Sequence, residues 1–121
     1  GKLIYGEFEG KKVIVMQGRF HLYEGYTLQD VTYPVRIMEK LGIKTLLVSN
    51  AAGAINLNFK KGELMLIQDD INLQPSALIG PNFKELGTRF PDMSEPYSKN
   101  LSEKAIDFAN KSNAKGVSLL W

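Results

Sequence analysis

Cysteine is absent from the 121 residues, and histidine occurs once, at position 21. No disulfide framework, thiolate nucleophile or cysteine-built zinc site can be drawn from this chain, and His21 is the only soft ligand it offers, so no metal is expected. No apolar run approaches the roughly 18 residues of a membrane span, and the N-terminus lacks the charged flank, apolar stretch and cleavage site of a secretory signal. Neither sign of charge dominates. Fifteen Lys and Arg face thirteen Asp and Glu for a net charge of +2, and they are interspersed rather than gathered into a basic stripe, which argues against nucleic acid as a partner. A cytoplasmic protein that engages neither membrane nor nucleic acid is the expectation.

What is present is an ordinary globular composition. With 44% apolar residues and twelve aromatics, the chain has the means to form a core, and its length fits one small domain over residues 1–121. It opens at Gly1 without Met, goes straight into a strand-like run, and closes inside an apolar run at 116–121. Both ends read as cut.

Residues 3–9 and 12–17 are β-biased runs on either side of Gly10-Lys11, which predicts a hairpin. Leu28, Val31, Val35, Met38 and Leu41 recur at helical spacing, with Thr27 and Asp30 as the start and Gly42 as the stop. Pro34 inside this pattern predicts a kink, or a helix that begins near Val31. The unbroken apolar run at 45–49 reads as a strand covered on both faces, and residues 63–68 as another. Residues 69–97 show no period and read as a long loop, of a length that is usually functional when ordered. Residues 98–112 return to a helix with Leu101, Ala105, Phe108 and Ala109 on the covered side, and residues 116–121 form a last strand. The expected class is α/β, a mixed β-sheet flanked by helices.

Two segments carry chemistry. In Gln17-Gly18-Arg19-Phe20-His21-Leu22-Tyr23-Glu24-Gly25-Tyr26, an extended backbone would put Arg19, His21 and Tyr23 on one face and Phe20 and Leu22 on the other. A guanidinium, an imidazole and a phenol side by side suit an oxyanion such as phosphate next to a hydroxyl-bearing ligand. Glu24 could reach His21 where Gly25 bends the chain and fix its tautomer. Taken singly, Arg19 reads rather as a solvated charge, and His21 and Tyr23 rather as half-buried strand residues; only the three together weigh evenly for a site. In Asn50-Ala51-Ala52-Gly53-Ala54-Ile55-Asn56, small side chains after a buried strand let an anion approach backbone N–H groups, or let a helix pack closely on a sheet. The segment lacks the P-loop pattern, and no dinucleotide fingerprint occurs in the chain. Asp69-Asp70 reads as a surface and capping pair rather than a metal site, because neighbours on a strand point apart.

Together with Val31-Thr32-Tyr33-Pro34-Val35-Arg36, Glu63-Leu64-Met65-Leu66-Ile67-Gln68-Asp69-Asp70-Ile71-Asn72, Gly80-Pro81-Asn82 and Arg89-Phe90-Pro91-Asp92-Met93-Ser94, these two segments closely resemble the trimeric purine nucleoside phosphorylase family, in the right order over most of the chain. The resemblance implies a partial nucleoside phosphorylase fold. It also implies phosphorolysis, in which phosphate attacks C1′ of a purine nucleoside and the purine leaves from an oxocarbenium-like transition state. By the family pattern Arg19, Phe20, His21 and the backbone at Ala51 bind phosphate. Tyr23, Asn50, Ala52, Gly53 and Phe90 serve the nucleoside, and His21 with Glu24 are the catalytic pair. The partners implied are a purine nucleoside, inorganic phosphate as co-substrate and two further copies in a homotrimer, with no cofactor.

Family members run much longer, with a glycine- and serine-containing phosphate loop before the part matched here and base-binding segments after it. None of those motifs occurs in these 121 residues, so the chain reads as an internal piece of one incomplete domain, and by itself as nearly inactive. The related methylthioadenosine phosphorylase and a non-catalytic anion-binding or assembly module are the alternatives.

Overall fold

The computed structural model describes residues 1–112 and 117–120. The chain divides into two compact units that interleave along the sequence: Gly1–Val48 with Pro75–Leu86, and Ser49–Gln74 with Gly87–Trp121.

In the first unit, β1 (Lys2–Phe8) and β2 (Lys11–Gln17) pair antiparallel in the register Phe8 opposite Lys11 through Lys2 opposite Gln17. The hairpin expected from sequence is there, but its turn is Glu9-Gly10 rather than Gly10-Lys11. Both turn residues have positive φ, 48° and 68°, the type I′ geometry whose twist matches that of paired strands. Lys11, free of that constraint, joins the strand.

Helix α1 (Leu28–Lys40) starts at Thr27 and runs unbroken through Pro34, so the expected late start at Val31 does not occur. Its start is firmly held. Thr27 Oγ1 accepts from the Asp30 N–H at 3.2 Å and donates to Asp30 Oδ2 at 2.6 Å, while Asp30 Oδ2 also accepts from the Thr27 N–H at 2.9 Å. These bonds satisfy exposed N-terminal donors of the helix, whereas Pro34 sits at mid-helix and has no N–H to give the Asp30 carbonyl. The stop is the one expected. Gly42, at φ 84°, lets its N–H reach the Glu39 carbonyl at 2.9 Å and the Ile43 N–H reach the Met38 carbonyl at 3.1 Å, a Schellman closure. Met38 is buried, Leu28 and Val31 are half-buried, and Val35 and Leu41 are exposed.

The run at 45–49 is not a strand. It has no regular structure, and Leu46, Leu47 and Val48 stand 50%, 85% and 67% exposed. A strand exists through its ladder, and among the described residues no strand is laddered to this run. Its composition states a need for cover without supplying the partner.

In the second unit, β3 (Leu64–Ile67) and β4 (Val117–Leu120) pair parallel, Leu64 opposite Val117 through Ile67 opposite Leu120. Helix α2 (Lys99–Lys111) lies between them in sequence, as a parallel connection requires. Gly116 and Trp121 of the expected last strand lie outside the described residues. Ser98 caps α2 through a long 3.4 Å bond from the Leu101 N–H. Of the side of α2 expected to be covered, Ala109 is buried but the rest is not. Ser102, Ile106 and Ala109 face inward, while Leu101, Ala105 and Phe108 are exposed. An apolar arc marks what a helix can bury, and here only one flank of that arc meets a neighbour. Residues 69–97 form the expected loop, interrupted by a single 3-10 turn at Lys84–Leu86. The described strands form two separate two-stranded sheets, one antiparallel and one parallel, rather than one continuous mixed sheet, and together with the helices they keep the α/β class read from sequence.

Candidate active-site segment

The strand β2 ends at Gln17, and Gly18 at φ 98° turns the chain into the segment that carries the predicted chemistry. The backbone is still extended at His21 (φ −119°, ψ 141°), then tightens into a 3-10 turn over Leu22–Glu24 that Gly25 closes at φ 93°. The alternation of faces expected for a fully extended run therefore stops at His21. The turn does by another route what alternation was to do: it folds Tyr23 back over His21, ring centroids 4.7 Å apart and planes within 23°. On the other side Phe20 meets the ring of Tyr26 edge-on at 5.0 Å and 81°. Tyr26 was not singled out from sequence. Its pairing depends on the reversal at Gly25, which no spacing rule reports.

Glu24 reaches His21 as expected. Its Oε2 accepts from the His21 backbone N–H at 2.9 Å and lies 3.0 Å from His21 Nδ1. The backbone N–H of His21 and then its ring hold the Glu24 carboxyl below its ordinary value of 4.5. At neutral pH Oε2 is therefore an acceptor only, which makes His21 Nδ1 the donor of the pair. Half-exposed, the pair is open to a ligand arriving in solution.

Arg19 belongs to the same unit as this cluster. Asn50, Ala51, Ala52 and Gly53 belong to the second unit, in an exposed stretch without regular structure, and an added Cβ at Gly53 would meet nothing within 4 Å. Phe90 is also in the second unit, 84% exposed, with the Arg89 guanidinium 5.9 Å from its ring centroid. The structure thus brings His21, Tyr23 and Glu24 together, and separately Phe20 with Tyr26. A contact invisible in the sequence lies at the base of the long loop. The Tyr97 hydroxyl donates to Asp70 Oδ2 at 2.6 Å across 27 residues, and that bond raises the Tyr97 pKa above 10.0. Asp69 Oδ1 caps the Asp70 N–H at 2.8 Å, in line with the capping role read for this pair. Among the described residues no three acidic or histidine side chains converge as a metal site requires, and no helix is long and apolar enough to cross a membrane.

His21, oriented by the Glu24 carboxylate and stacked on the Tyr23 ring, stands on a segment that follows the end of β2. The chain belongs to the Phosphorylase superfamily, whose family model matches residues 1–118. It is 57% identical over 111 residues to purine nucleoside phosphorylase 1 of Geobacillus stearothermophilus, covering 91% of this chain and 40% of that protein. It is 52% identical over 121 residues to purine nucleoside phosphorylase 1 of Bacillus subtilis, covering 97% and 45%. Among solved structures it resembles the Schistosoma mansoni purine nucleoside phosphorylase in complex with inosine, with a TM-score of 0.88 at 41% identity over 98% of this chain and 45% of that one. The chain therefore spans less than half the length of these relatives.

Proposed function

We propose that this chain carries the His21 part of a purine nucleoside phosphorolysis site. The observation behind this reading is the Glu24 carboxylate held 3.0 Å from His21 Nδ1. With the proton fixed on Nδ1, Nε2 can accept the proton of a phosphate P–OH and so sharpen the phosphate oxygen as a nucleophile. That oxygen forms the bond to C1′ while the C1′–N bond of the nucleoside breaks, its electron pair leaving with the purine. Arg19 supplies a bidentate fork to the phosphate, Phe20 holds the segment through Tyr26, and Tyr23 offers its ring to the ribose. Binding roles for Ala51 towards phosphate, and for Asn50, Ala52, Gly53 and Phe90 towards the nucleoside, rest on the family resemblance. The names of the relatives and the inosine complex of the Schistosoma enzyme support the same substrate class. The reading extends to a cytoplasmic homotrimer without a cofactor, acting in purine salvage, with light scattering as the test of assembly.

Catalysis needs phosphate, sugar and base held together, and a small misplacement alone can cost about 10²-fold. For the 121-residue chain by itself the expectation is therefore phosphate binding with little or no turnover of inosine. Isothermal titration with inorganic phosphate tests it. A charge-assisted hydrogen bond contributes roughly 1.5–3 kcal/mol, so Arg19→Ala should weaken binding by about 10- to 100-fold. Phosphate affinity equal in the two proteins, or absent from both, refutes the assignment.

A further inference from the structure

The stretch from His21 to Asp30 is built from two reciprocal turns in succession. In the first, Glu24 Oε2 accepts from the His21 backbone N–H at 2.9 Å. In the second, Asp30 Oδ2 accepts from the Thr27 backbone N–H at 2.9 Å, and Thr27 Oγ1 accepts from the Asp30 N–H at 3.2 Å. Gly25 and Tyr26 are the two residues between them. Gly25, at φ 93°, is a swivel without a side chain. What spans it is the ring of Tyr26, which meets Phe20 edge-on with centroids 5.0 Å apart.

This contact is not core packing. Phe20 is 38% and Tyr26 42% exposed, so the pair buries too little to weigh heavily in the stability of the unit. An edge-on pair is directional, because the ring edge is positive and the face negative, and it fixes an angle as well as a distance. Phe20 lies between Arg19 and His21 in the chain, so holding its ring holds the backbone that carries both polar side chains.

The start of α1 supplies the fixed point and does not compete for the anion. A helix N-terminus ordinarily attracts phosphate through its open N–H groups. Here bonds from Thr27 hold the Asp30 carboxyl below its ordinary value of 3.8, so at neutral pH a negative charge already occupies that end and turns a phosphate away. An anion on this segment is left to Arg19 and His21. Their spacing has to be set before it arrives, because affinity is lost whenever the ligand must order its own site.

We infer that Tyr26 is a positioning residue for the phosphate site: its ring, fixed at the start of α1, sets the place of Phe20 and through it of Arg19 and His21. The inference rests on the reading of Arg19 and His21 as phosphate ligands and deepens it. The ring of Tyr26, not its hydroxyl, makes the contact, so phenylalanine should serve at position 26 and alanine should not.

Isothermal titration of the 121-residue chain with inorganic phosphate, together with backbone amide exchange, tests it. Tyr26→Ala should weaken phosphate by roughly 2- to 10-fold, the worth of one edge-on aromatic pair and less than the effect of Arg19→Ala. Tyr26→Phe should keep the parent affinity. The His21 amide, held by Glu24, should exchange faster in Tyr26→Ala and at the parent rate in Tyr26→Phe. Gly10→Ala controls for a general loss of stability: it strains the hairpin turn at φ 68° in the same unit and should leave phosphate affinity unchanged. Parent affinity in Tyr26→Ala beside a weakened Arg19→Ala overturns the inference alone. So does a loss in Tyr26→Phe or in Gly10→Ala as large as that in Tyr26→Ala. Phosphate binding that is absent, or that Arg19→Ala does not change, overturns the phosphate reading and this inference with it.

Discussion

A glutamate turns the hairpin where asparagine or glycine would fit better, and replacing it tests the geometry directly. Glu9 at φ 48° and Gly10 at φ 68° both lie in the left-handed region. An L residue there costs roughly 1–2 kcal/mol, and asparagine recovers part of that through its short, locally bonding side chain. Glu9→Asn should therefore stabilise the chain by about 0.5–1 kcal/mol. Glu9→Gly should gain less, since the freedom of glycine in the unfolded chain costs about 0.5–1 kcal/mol. At Gly10 an added Cβ would meet nothing within 4 Å, so Gly10→Ala isolates the conformational cost and should lose about 1 kcal/mol. Urea unfolding followed by circular dichroism, at a slope of about 1.5 kcal/mol/M, should show the midpoint rise by roughly 0.3–0.7 M for Glu9→Asn and fall by a similar amount for Gly10→Ala. Equal midpoints for all variants would refute the type I′ turn, and a gain from Gly10→Ala would place the turn elsewhere.

Helix capping, the imidazole pair and the loop clasp are each open to measurement. Thr27→Ala should cost about 1 kcal/mol in the same urea assay, and Ser98→Ala clearly less, because its cap bond is 3.4 Å; equal losses would contradict the cap geometry. The Glu24 carboxyl is depressed in the fold, so its contribution to the 3-10 turn is present above 4.5 and lost as pH falls through the lowered value. The His21 amide should then exchange faster in acid and be indifferent to that window in Glu24→Gln, whereas a retained acid dependence would mean another group titrates there. Tyr97 is shifted the other way: its neutral form is favoured, so its contribution is full below pH 10.0 and disappears as pH rises through the raised value. Tyr97→Phe should abolish that alkaline loss and speed amide exchange between residues 71 and 96, and unchanged exchange would mean the clasp does not hold the loop.

Local signals were readable from the amino acids wherever the determinant lay within a few residues. Thr27, Asp30 and Gly42 set the ends of α1, and Glu24 found His21 three residues back, because caps and turns are short-range hydrogen-bond problems. The position of the hairpin turn was off by one residue, since the pattern of β-formers says little about which residue must take positive φ. The run at 45–49 and the outward flank of α2 were misread for a common reason: hydrophobicity reports a preference for burial, while burial itself needs a partner that these residues do not contain. The Tyr97–Asp70 bond was beyond any local reading, as its two ends are brought together only by the fold of everything between them. At the candidate site the identity of His21, Tyr23 and Glu24 was legible, but the stacking of Tyr23 came from a 3-10 turn rather than from the strand periodicity first invoked.

The interleaving of the two units sets a timetable for synthesis. Pro75–Leu86 belongs with Gly1–Val48 but follows Ser49–Gln74 in the chain, so the first unit cannot be finished before the ribosome has already passed through part of the second. Pairs so far apart in sequence close slowly. A nascent chain therefore spends that interval with its hairpin and α1 formed and the Pro75–Leu86 segment still to come, and a single protease cut cannot release either unit whole.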